Sequence, residues 1–141
     1  MFNLLRFPAA LRQTRTQRGL MQKTVAHELK LDPALLCATE RGTRGPLDGE
    51  TLAKAAELLQ LSAAELQELS WTAHHDRILG SVRNRGASSI EMKGISAMLL
   101  ALHHLQADQR DGLIQYCDQV VQSARLVYGL SASSNRLEGI A

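Results

Sequence analysis

Apolar residues recur at helical spacing along most of the chain, and punctuating residues divide the pattern into short segments. Pro8 near the start, Leu11 and Arg15 four apart, and Gly19 at the end predict a helix over residues 8–18. Val25, Ala26 and Leu29 share one face of a second helix over residues 22–29. Asp32, whose carboxylate can take up free amide hydrogens, and Pro33, pre-set for a first turn, start a third helix that ends at Gly42. Residues 43–49 hold Gly45, Pro46, Asp48 and Gly49 and predict a loop. Leu52, Ala55, Ala56 and Leu59 then mark a fourth helix, and Ser62-Ala-Ala-Glu65 is a capping box opening a fifth through Leu66 and Leu69.

Residues 80–89 (GSVRNRGASS) carry no hydrophobic period and predict a linker, which divides the chain into a helical domain at 1–79 and a second region at 90–130. In that second region Ile95, Met98, Leu99, Leu102 and Leu105 form one apolar stripe. Leu113, Cys117, Val120, Val121, Ala124 and Val127 form another, with Asp108 as its predicted cap, so the pair predicts a helical hairpin with a short connection. The Ser-rich residues 131–141 predict a flexible tail.

Composition agrees with an all-α protein. Only Phe2, Phe7, Trp71, Tyr116 and Tyr128 are aromatic, which leaves Leu and Ala to build the core. Cys37 and Cys117 form no CxxC and predict neither a disulfide framework nor a structural zinc site. The longest apolar run, residues 95–102, falls short of the ~20 residues of a membrane helix, and Arg6 and Pro8 interrupt the opening apolar stretch, so the expectation is a cytoplasmic protein without membrane attachment. Charge is unevenly placed. Residues 1–46 hold eight Lys and Arg against three Asp and Glu, whereas the remainder holds eight against eleven. A basic front half points to a nucleic-acid face on that part.

The short helices at 22–29 and 33–41, separated by a few residues, have the arrangement of a helix-turn-helix. The 56 residues from Leu11 to Leu66 resemble the lambda-repressor and Cro type of helix-turn-helix domain, the XRE family. The matching features are Arg18-Gly19-Leu20 closing a basic first helix, Gln22 opening the second and Val25-Ala26 within it. Glu40-Arg41-Gly42 closes the third, Pro46 follows, and the fourth is Leu-rich.

The resemblance implies a five-helix lambda-repressor-like domain whose third helix lies in the major groove of double-stranded DNA, and a homodimer reading two half-sites. It places Gln22, with Lys23 beside it, at a phosphate, puts Pro33, Ala34, Leu35, Cys37 and Ala38 at the base-reading positions, and sets Arg41 and Arg44 at backbone or base edges. This chain departs from the family in three ways. It has no Ser, Thr, Arg or Gln at those reading positions, Lys30 stands for the usual turn glycine, and Thr14 and Thr39 stand for apolar core residues.

Other candidate chemistry reduces to structure. Glu40 with Arg15 reads as an ion pair rather than a catalytic acid. Leu35 serves equally as a DNA contact or as cover for a neighbour. Cys37 has no visible source of a lowered pKa. His74-His75 and His103-His104 lack the i, i+4 spacing of shared metal ligands and read as surface or interface histidines; Arg83 and Arg85 read as solvated charges. No GxSxG, phosphate-cradling loop or metal-spaced cluster is present, so neither an enzyme nor a cofactor is expected. The leading expectation is a sequence-specific transcriptional regulator, a repressor binding a palindromic operator as a homodimer. The competing one is an antitoxin or other interaction module whose C-terminal helices bind a partner protein.

Overall fold

Local capping chemistry sets where most of the helices begin. In the computed structural model, which describes residues 4–140 and side chains as far as Gly129, there are seven helices and no strand among the described residues. They are α1 (Phe7–Gln17), α2 (Gln22–Glu28), α3 (Pro33–Arg41), α4 (Gly49–Leu58), α5 (Ala63–Asn84), α6 (Ser89–His104) and α7 (Ala107–Ile140). The protein is all-α.

Asp32 accepts the Ala34 amide at 2.9 Å and Asp48 accepts that of Thr51 at 2.7 Å. Ser62 and Glu65 exchange both hydrogen bonds of the capping box at 3.1 Å each. A second capping box, which the sequence reading missed, joins Ser88 to Glu91 and starts α6. These bonds supply partners to amides that helix geometry leaves free. They also hold the carboxyls of Asp48, Glu65 and Glu91 below their ordinary values, through the Thr51 amide, the Arg18 guanidinium and the Ser88 side chain respectively. α7 starts at Ala107, where the Gln106 amide donates to the Gln109 side chain; Asp108 therefore sits inside the first turn and is not the cap.

Five helix ends close in one way. A left-handed residue donates its amide to the carbonyl three residues back, and the next residue donates to the carbonyl five back, a Schellman turn. Gly19, Gly42 and Gly86 fill the left-handed position after α1, α3 and α5, whereas Lys30 (φ 56°) and Gln60 (φ 54°) fill it after α2 and α4.

α1 packs on α3 and α5, and α2 packs on α3 and α4. Phe7, Leu11, Val25, Ala26, Leu29, Leu36, Leu47, Leu52, Ala55, Leu69 and Ala73 form their shared core. Among the described residues, Phe7 is its only aromatic residue, in line with the composition.

Three expectations about the second half change. Residues 80–84, read as linker, are the last turns of α5, and only residues 85–88 connect it to α6. The chain divides into compact units Met1–Ala97 and Met98–Ala141, so the first unit extends well beyond residue 79. The connection from α6 to α7 is as short as expected, residues 105–106, and the apolar stripe of α7 is half-buried at Leu113 and Cys117 but exposed farther on, where Val120 is 50% and Val127 63% exposed. The stretch read as a flexible tail belongs to α7 as far as Ile140; its side chains, and Ala141, lie outside the described residues. No helix among the described residues is long and apolar enough to cross a membrane.

Candidate nucleic-acid interface

The inner side of α3 is held by one nearly buried ion pair and one apolar contact. Arg15 on α1 donates through Nε and Nη2 to the Glu40 carboxylate, with the shortest bond at 2.9 Å, and through Nη1 to the Leu20 carbonyl at 2.7 Å. The pairing expected from sequence is therefore present. Leu36 is buried beside it, and the buried Thr39 satisfies its hydroxyl by donating to the Leu35 carbonyl at 3.0 Å. A threonine thus occupies a core position without an unpaired polar atom. At the end of α3, Gly42 is left-handed (φ 80°), and a Cβ there would come within 3.3 Å of Leu5 and 3.4 Å of Pro8. The left-handed backbone favours glycine at this point, and a Cβ would also crowd two side chains.

With that side anchored, Ala34, Cys37, Ala38 and Arg41 fall on the arc of α3 turned away from it, and Pro33 lies at the start of the helix, one turn before Leu36. Pro33, Ala34 and Arg41 are exposed, and Cys37 and Ala38 are partly so. Leu35 does not join them, because its side chain packs against the core. Arg44 is exposed in the loop after α3, Lys23 is exposed on α2, and Gln22 is half-buried at the start of α2.

Of the eight basic residues of the front half, two are tied up within the fold and six, Arg6 and Lys30 among them, are exposed without an ion pair among the described residues. Arg15 is consumed by Glu40, and Arg18 by the Leu59 carbonyl and Glu65. Arg12, Lys23, Arg41 and Arg44 are exposed and form no ion pair among the described residues. Arg12, which sequence reasoning did not single out, shares with Arg41 the walls of an open groove of about 690 Å³ between α1 and the end of α3. Only the 3.6-residue phase of α1 distinguishes this outward arginine from the inward Arg15.

Against known proteins, the chain matches no family model, no curated protein and no solved structure.

A second polar constellation lies elsewhere in the Met1–Ala97 unit. The Asp76 carboxylate accepts the backbone amides of Arg6 and Phe7, each at 2.9 Å at its shortest, and so caps α1 from α5. His75 Nδ1 stands 2.8 Å from Asp76, and its Nε2 stands 2.9 Å from the Ser96 hydroxyl of α6. A carboxylate only accepts, which places a ring proton on Nδ1; in the neutral ring Nε2 then accepts from the serine hydroxyl. The connectivity is that of a serine–histidine–aspartate relay, but Ser96, His75 and Asp76 are 3%, 0% and 4% exposed. A sealed hydroxyl meets no substrate, and the cluster is a structural joint. His75 is accordingly a core residue and not a surface histidine, whereas its neighbour His74 is exposed. Among the described residues, no group of three or more His, Cys, Asp or Glu is placed to hold a metal ion.

Proposed function

We propose that the protein is a sequence-specific DNA-binding regulator of transcription that acts by binding rather than by turnover. α2 and α3 serve as its helix-turn-helix, and α3 lies in the major groove. The observation that carries this reading is the two-sided character of α3. Its inner side is locked to α1 by Arg15 and Glu40, while its outer side presents Ala34, Cys37, Ala38 and an uncompensated Arg41, with Pro33 exposed at its start and Arg44 just beyond its end. A rigid helix with a small-residue face and flanking arginines fits a groove floor between two phosphate rows. The operator is palindromic and the protein binds it as a homodimer, blocking transcription by occupancy.

Small apolar residues on the reading face offer methyl contacts and few hydrogen bonds to base edges. Specificity then comes from thymine methyl groups, from DNA shape and from the two arginines. Selection of bound duplexes from a random pool, followed by sequencing, tests the reading: an enriched inverted repeat is the expected result, and a pool that stays random overturns it.

The exposed apolar face of α7 favours one second reading, in which the C-terminal helix holds a partner protein as an antitoxin does and DNA binding serves autoregulation. A stoichiometric protein co-purifying with the full chain, and lost when α7 is altered, distinguishes that reading from the first.

A further inference from the structure

The groove between α1 and the end of α3 holds positive charge that the fold does not neutralise. Its apolar lining comes from Leu5, Pro8 and Ala9, and its charged lining from Arg12, Glu40 and Arg41. Glu40 supplies the only carboxylate there, and its side chain is 2% exposed and taken up by Arg15. Arg12 and Arg41 are exposed, and neither forms an ion pair among the described residues. Thr16 and Thr43, on the same walls, give their hydroxyl protons to the backbone carbonyls of Arg12 and Ala38 at 2.9 and 3.2 Å. Two guanidiniums thus line an open groove without an anionic partner among the described residues.

The place of the groove says which anion fits it. Arg41 belongs both to its wall and to the outer arc of α3 with Ala34, Cys37 and Ala38, so the groove borders the proposed reading face. A DNA strand whose bases meet that arc carries its backbone along the border. Arg15 lies three residues after Arg12, and Glu40 immediately precedes Arg41, so the ion pair between α1 and α3 also fixes the spacing of the two free arginines. A guanidinium presents a planar fork of donors that matches two phosphate oxygens. We propose that Arg12 holds a backbone phosphate of the bound DNA in this groove, beside Arg41, and extends the DNA contact from α2 and α3 onto α1. This assignment rests on the DNA-binding reading above and adds to it a residue outside the helix-turn-helix. A phosphate contact carries no base information, so Arg12 raises affinity and fixes the register of α3 without selecting sequence.

The test uses the full chain and two labelled duplexes, one enriched from the random pool and one of unrelated sequence, with binding followed by fluorescence anisotropy over a series of salt concentrations. R12Q is expected to weaken both duplexes by the same factor, about threefold or more, and to make the slope of log affinity against log salt shallower by about 0.9, the share of one phosphate. R12K keeps the charge and is expected to keep the slope. K93Q, at an exposed lysine on α6 outside the groove, removes the same net charge and is expected to change neither quantity. Circular dichroism checks that each variant keeps its helices. If the wild type binds and R12Q matches it in affinity and slope, the groove assignment falls and the DNA reading stands. If the wild type binds neither duplex even at low salt, both fall. A loss in R12Q confined to the enriched duplex makes Arg12 a reader of bases and overturns the phosphate assignment.

Neutral linkages locate the contact on the DNA. Methylphosphonate is placed at one backbone position of the enriched duplex at a time, which removes a single phosphate charge. One linkage, or two adjacent ones, is expected to weaken the wild type and to have no further effect on R12Q. If every linkage costs R12Q as much as the wild type, Arg12 attracts DNA from a distance and holds no phosphate, which overturns the proposal.

Discussion

Glu40 lies 25 residues from Arg15 in the chain, yet takes up its guanidinium through both carboxylate oxygens, with a shortest contact of 2.9 Å. This pair joins α1 to α3 where Glu40 is almost fully enclosed. Removing one partner strands the other's charge, so E40A is expected to cost about 3 kcal/mol in urea unfolding. The double change R15M/E40L removes both charges and is expected to cost less than E40A alone. A larger loss for the double variant would mean that the Arg15 bond to the Leu20 carbonyl, rather than the ion pair, is the main stabilising contact.

Asp76 satisfies two backbone amides and a histidine in a sealed site. D76A leaves all three without their acceptor and is expected to destabilise the Met1–Ala97 unit by about 2 to 4 kcal/mol. S96A removes a single neutral hydrogen bond, for which about 1 kcal/mol is expected. Equal losses for the two variants would show that the serine, not the carboxylate, organises the cluster.

Lys30 holds a left-handed conformation between α2 and α3 that costs an L-residue energy and glycine almost none. K30G is therefore expected to raise stability by up to about 1 kcal/mol, and Q60G, at the matching end of α4, to act in the same direction. Denaturant midpoints measure both; a loss of stability in K30G would show that the lysine side chain makes a compensating contribution.

Acid sensitivity follows from the helix starts. Asp48, Glu65 and Glu91 all titrate below their ordinary values of 3.8, 4.5 and 4.5 in the folded protein. In that range the unfolded chain binds more protons, so their stabilising contribution is complete above the ordinary values and is lost as pH falls through the lowered ones. The melting temperature should fall on acidification from pH 5 toward pH 3, with a shallower fall in the variant D48N/E65Q/E91Q. Identical slopes would assign acid unfolding to other carboxylates.

For the proposed DNA reading, R44A should lower affinity by about 1 to 3 kcal/mol and relax choice at one base pair if Arg44 reads a guanine, and should weaken all sequences alike if it meets only phosphate. Replacing thymine by uracil across the selected half-site removes methyl groups and keeps the hydrogen-bonding pattern. Lower affinity is expected; an unchanged value would eliminate the methyl contacts from Ala34 and Ala38.

Helix starts were legible because capping is short-range chemistry, and Asp32 and Ser62 act on amides two and three residues away. The end of α5 was not. Gly80 reads as a breaker, but nothing lies within 4 Å of where its Cβ would be, and the helix continues until Gly86 turns left-handed. Ser88 and Glu91 carry the same signature as Ser62 and Glu65, hidden inside a stretch read as linker. Of the site residues, Leu35 turned inward because α3 presents it to the core side, a phase that nine residues of weak amphipathicity do not define. Adjacent histidines lie about 100° apart on a helix, which argued against a shared metal but does not say whether either faces inward. That His75 does so depends on Ser96, 21 residues away, which no local pattern reveals.

The joint at Asp76 also orders events during synthesis. Arg6 and Phe7 are made about seventy residues before the carboxylate that caps them. At about 5 to 20 residues per second, α1 waits roughly 4 to 14 s for its cap, and His75 waits a further 21 residues for Ser96. The N-terminal unit therefore cannot lock helix by helix as it is made. Its first and last parts close together, once the chain has grown past Ser96, and a fragment ending at residue 79 would stop short of that event.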